Sequence, residues 1–109
     1  MTHKNLHKLC DIVTEAHTRF QLEIADIDPI VGVSQNMRTN GVPADALTID
    51  CLKNDKRIIL ILHDDHPDFI NYQFAWRNKD PENDFTEVSF EEVTADKILE
   101  WMKSYFVIG

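Results

Sequence analysis

The sequence predicts an α+β fold. A four-stranded antiparallel meander carries an N-terminal and a C-terminal helix packed on its apolar face, in the order α-β-β-β-β-α. Three observations lead there. Apolar residues follow helical spacing at both ends of the chain. Between them "ALTIDCLKNDKRIILILH" reads as two strands around a tight turn, followed by "FINYQFAWR" as a third. One strand register puts all the large apolar side chains of the centre on the same face, and such agreement between levels marks a foldable sequence.

The first helix rests on Leu6, Leu9, Cys10, Val13, His17, Phe20 and Ile24, spaced three or four apart, with Thr2 as its cap. Residues 20–27 also alternate with period two. Gln, Leu, Glu and Ala favour helix there. Asp28-Pro29 ends it. Residues 30–45 read as irregular, with one helical turn in "SQNMRTNGVP" capped by Ser34 and stopped by Gly41 and Pro43. Two strands then follow around a tight Asn54-Asp55 turn, pairing Cys51 with Ile58, Ile49 with Leu60 and Leu47 with Leu62. "HDDHPD" connects to the third strand, setting Leu60 opposite Tyr72 and Ile58 opposite Phe74, with Tyr72, Phe74 and Trp76 facing the core. Val88 and Phe90 join that face from a fourth strand. A helix capped by Thr94 closes the chain, its apolar side formed by Ile98, Leu99, Met102, Tyr105 and Phe106.

The 109 residues fit one domain spanning 1–109, and 43% apolar with 28% charged residues is an ordinary globular composition. No apolar run approaches the roughly 20 residues of a membrane helix. The polar start "MTHKNLHKLC" lacks the apolar block of a signal peptide, so a cytoplasmic location is expected. Cys10 and Cys51 form no CxxC and are expected as buried free thiols. The net charge is −8, and residues 78–96 hold seven carboxylates against Lys79 alone. Phosphate binding requires a basic patch, so nucleic acid is not an expected partner, nor is an anionic membrane surface. A basic protein partner is compatible with that charge.

The densest chemistry lies in "HDDHPD". His63 and His66 with Asp65 or Asp68 are the candidate metal ligands, although adjacent strand residues point apart and a metal needs three or four converging donors. The turn formers Asp64, Asp65, Pro67 and Asp68 favour a plain hairpin loop. His3 and His7 have chelating i, i+4 spacing without an HExxH pattern, and His17 reads as a core-edge histidine. There is no GxSxG, and three glycines cannot build a phosphate loop. No catalytic residue and no cofactor are assigned. Tyr72, Trp76, Trp101 and Tyr105 are the candidate lining of a helix–sheet ligand pocket.

The other sheet face reads Thr48, Asp50, Leu52, Arg57, Ile59, Ile61, Asn71, Gln73, Ala75 and Arg77. Leu52, Ile59, Ile61 and Ala75 form an apolar island in a polar rim with Arg57 and Arg77. Either helix 1 or a second subunit covers it. The function expected first is a non-catalytic interaction or binding module acting as a homodimer through that face. An acidic inhibitor or immunity-type protein masking a basic partner comes second. A small-molecule binder and a metal-dependent enzyme around His63 and His66 follow.

Overall fold

The computed structural model describes residues 2–107 except Asn83, and the side chains from Lys4 onward. The cap expected of Thr2 and the His3–His7 pair therefore lie outside the described side chains. The elements run α1 (Thr2–Glu23), β1 (Ile30–Ser34), α2 (Asn36–Thr39), β2 (Ala44–Cys51), β3 (Lys56–His63), β4 (Phe69–Trp76), β5 (Thr86–Ser89), a 3-10 turn (Phe90–Glu92) and α3 (Ala95–Phe106). This is an α+β chain whose antiparallel sheet is flanked by the N- and C-terminal helices.

The sheet has five strands, not four, in the order β1-β2-β3-β4-β5. The added strand is "IVGVS", in the stretch expected to be irregular. It pairs Val31 with Ile49 and Val33 with Leu47. Its apolar residues are broken by Gly32 and it lies at an edge, so it lacks the in–out alternation that identifies inner strands.

The first hairpin is also shifted. Cys51 pairs with Lys56, Ile49 with Ile58 and Leu47 with Leu60. The loop is Leu52 to Asp55, four residues instead of two, and Asp55 takes a left-handed backbone with φ of 58°. Aspartate tolerates that conformation better than most residues. A two-residue shift keeps every side chain on its expected face, whereas a one-residue shift would have inverted them all. The β3–β4 register is as expected, with Leu60 opposite Tyr72 and Ile58 opposite Phe74. Val88 pairs with Ile70, while Phe90 starts the 3-10 turn instead of extending β5.

Both helices pack on one face. Leu9, Val13, Ala16 and Phe20 of α1 and Ile98, Met102 and Phe106 of α3 are buried against Leu47, Ile49, Ile58, Leu60 and Ile70. The α1 residues follow the 3–4 spacing that gives one apolar stripe. Period two in "RFQLEIADI" does not prevail, because helix geometry already buries Phe20 and leaves Leu22 81% exposed. Thr94 caps α3, its side chain accepting from the Lys97 N–H at 3.2 Å. The far end of α3 is closed by the β2–β3 hairpin. Asn54 donates to the Phe106 carbonyl at 3.1 Å and Lys56 Nζ to the Tyr105 carbonyl at 3.0 Å. A cation there also complements the helix dipole.

Candidate functional site

The "HDDHPD" stretch is the loop from β3 to β4. Backbone bonds from His66 N–H to the His63 carbonyl (3.0 Å) and from Phe69 N–H to the His66 carbonyl (3.2 Å) shape it. His63 Nδ1 accepts from the Asp65 N–H at 3.2 Å, and the two imidazole centroids are 5.7 Å apart. Asp64 turns the other way, toward Arg38. That guanidinium forks Asp45 at 3.0 and 3.0 Å and Asp64 at 2.9 and 2.9 Å. Asp45 is 2% exposed, so Arg38 neutralises a buried carboxylate. Hydrogen bonds to Asp64 and then Asp45 push the Arg38 guanidinium further above its ordinary value, keeping it charged.

The clamp explains α2. A four-residue helix is unstable alone, and this one ends in a Schellman motif. The Val42 N–H donates to the Met37 carbonyl (2.8 Å) and the Gly41 N–H to that of Arg38 (3.1 Å), with Gly41 at φ 89°. Arg38 then ties α2 to β2 and to the β3–β4 loop, and Asp64 N–H donates to the Pro43 carbonyl at 2.8 Å. Among the described residues, no group of three or more His, Cys, Asp or Glu side chains is arranged to hold a metal ion. His17 is half-buried, with Nε2 2.7 Å from the Pro29 carbonyl. Cys51 is buried and Cys10 half-buried, both as free thiols. Burial, and secondly Asp11, push the Cys10 thiol up, away from the reactive thiolate.

Of the four aromatic residues considered as a pocket lining, three are taken up by ring contacts, and Trp76 is 45% exposed. Trp101 stacks on Tyr72 at 4.3 Å, and Tyr105 stacks on Phe74 at 5.0 Å. The Tyr105 hydroxyl donates to the Ala75 carbonyl at 2.6 Å, and burial pushes its phenol up. Lys56, 6% exposed, lies 4.7 Å from the Tyr105 ring centroid and 5.9 Å from that of Trp76. The surface grooves around α1 and α3 are lined by other residues. Phe74 and Trp76 do point to the helix side, yet they are 40% and 45% exposed. The stripes of α1 and α3 centre on β3. On β4, Ile70 is fully buried, while the Phe74–Trp76 end is covered only as far as Trp101 and Tyr105 reach.

On the opposite face neither helix is present, so α1 is not the cover weighed for the apolar island. Asp50 is forked by Arg57 at 2.7 and 2.9 Å, and Arg77 approaches it at 3.6 Å while bonding Asp55 at 3.0 Å. These charges are satisfied within one chain. The β4–β5 loop bends back over part of this face. Gln73 donates to the carbonyls of Glu82 (2.9 Å) and Asp84 (3.3 Å) and accepts from the Glu82 N–H (3.0 Å). Ile59, Gln73 and Ala75, neighbours in the register, are all buried there. Ile61 stays half-buried and Leu52 is 48% exposed. Two residues that sequence reasoning missed share the face. Ile30 of β1, opposite Asp50, is 51% exposed. Phe69, at the start of β4, is 41% exposed.

No protein-family model matches the chain, and no curated protein and no solved structure matches it significantly. Among the described residues no helix is long and apolar enough to cross a membrane.

Proposed function

We propose that the chain is a non-catalytic interaction module that pairs with a second copy of itself through the helix-free face of its sheet. The observation that carries this reading is the exposure of Ile30 and Phe69 on that face, beside half-buried Ile61, with Leu52 exposed in the adjoining β2–β3 turn. Ile30 beside the satisfied Asp50–Arg57–Arg77 network, and Ile61 and Phe69 toward the other end of the same face, suit a two-fold contact that spans the sheet. The apolar groups leave water, and the charges need no new partner when covered. The interface is isologous and closes at two copies.

Ile59 is a poor probe of this reading because the chain's own loop already buries its neighbourhood. Leu52 is the better one. Leu52→Asp places a charge on an exposed site and is expected to give a folded monomer by light scattering, against a wild-type dimer. A wild-type chain that is monomeric at about 100 μM would overturn the reading.

A second reading is favoured by a separate observation. Asp80, Glu82, Asp84, Glu87, Glu91 and Glu92 are all exposed, and none of them is ion-paired with another described residue. They follow one another along the β4–β5 loop, β5 and the 3-10 turn. That side of the molecule suits a basic protein partner, bound in a salt-sensitive way.

A further inference from the structure

We infer that the furrow between α1 and the 3-10 turn leading into α3 docks a basic amphipathic helix, about three turns long, from a partner protein. The inference rests on the reading of a basic partner and gives it a site.

The furrow is a groove of about 660 Å³. Its floor is apolar, with Ile12 and Phe90 half-buried above the fully buried Val93. Its walls are acidic, with Asp11 and Glu15 on α1, Glu91 on the 3-10 turn and Asp96 at the start of α3. Lys8 is the one lining cation, and Asp11 and Glu91 are ion-paired with no described residue. One end is closed by Arg19, which crosses from α1 to Asp96 at 2.6 Å. The other end is continuous with a smaller groove through Lys8, Phe90 and Glu91, reaching Asn5 and Pro67.

The dimensions select the occupant. Asn5 to Glu15 spans about 15 Å of helix axis, which a second helix of about ten residues would match. An extended peptide is held by pairing along a strand edge, and no strand residue lines this furrow. A helix satisfies its own backbone and presents apolar residues at i, i+3, i+4 and i+7, the common helix-in-groove mode. The carboxylates on both rims then face Lys or Arg on the flanks of that helix. Acidic substrates, nucleic acid and anionic lipid are repelled by the same rims.

The test uses a fluorescently labelled, stapled peptide of leucine and lysine, with leucine at the helix-face positions, and a stapled control of the same composition with the pattern scrambled. Stapling matters because a free helix this short is marginal. Anisotropy with the full chain is expected to show binding that weakens with salt. It should be about tenfold weaker for the scrambled peptide, for Ile12→Ser and for Asp11→Lys/Glu91→Lys. The latter two positions are exposed, so this variant folds. Asp80→Lys/Glu82→Lys, outside the furrow, is expected to change affinity by less than about twofold. Binding lost in the 80/82 variant but kept in the furrow variants would overturn the furrow and leave the basic-partner reading standing. Equal affinity for the scrambled peptide would also overturn the furrow. No binding of either peptide at about 100 μM would overturn both.

Discussion

Phe20 of α1 and Phe74 of β4 both lie between the helices and the sheet's helix side, but their surroundings differ. Phe20 is 0% exposed and meets Phe106 edge to face at 6.3 Å. Phe74 is 40% exposed, held by Tyr105 on one side and Trp101 on another. Phe20→Ala is expected to cost about 3–5 kcal/mol, the usual loss for emptying a core aromatic site. Phe74→Ala is expected to cost roughly 1–2 kcal/mol, because only part of its surface leaves water and an aromatic pair adds little more. Urea unfolding of the two variants checks this, and equal losses would show that Phe74 is covered in solution. Period-two alternation made the direction of Phe74 legible in the sequence. It could not tell how far a helix reaches across the strand, which depends on where α3 crosses the sheet.

Among the elements, β2, β3 and β4 were legible because each is an eight-residue run rich in strand formers and one register puts their large apolar side chains on one face. The loop length of the first hairpin was not, since a two-residue shift leaves the face pattern intact. β1 was missed for a related reason: five residues, one of them Gly32, carry too little periodicity to stand out. The Arg38 clamp could not be read at all. Its partners lie 7 and 26 residues away, and nothing local in "NMRTN" or "HDDHPD" signals that the fold joins them. The loop itself was foreseen, and the clamp shows what one of its carboxylates does there. Arg38→Gln removes the charge and the fork together. Amide hydrogen exchange is then expected to quicken at Gly41, Val42 and Asp64, whose N–H groups are held at 3.1, 2.8 and 2.8 Å by the structure that Arg38 anchors. Unchanged exchange at all three would mean that the Schellman motif holds α2 without help.

The whole molecule has three unlike sides. The helix side buries the core. The flank formed by residues 78–96 is acidic, and it was legible from charge counting alone. The helix-free face was legible as a face, yet not in its detail. Sequence alternation placed Leu52, Ile59 and Ile61 on it, but the return of the β4–β5 loop over Gln73 and the addition of Ile30 from β1 moved the exposed apolar groups toward the β1 side and the start of β4. That face is where a second copy is proposed to bind, and the contact can be observed directly. Protein labelled on isoleucine and leucine methyl groups is mixed with unlabelled protein, and isotope-filtered NMR records only cross-peaks between different chains. The account predicts intermolecular cross-peaks from the methyl groups of Ile30, Leu52 and Ile61. A concentrated sample giving none from these residues, or giving them only from Leu22 on α1, would contradict it.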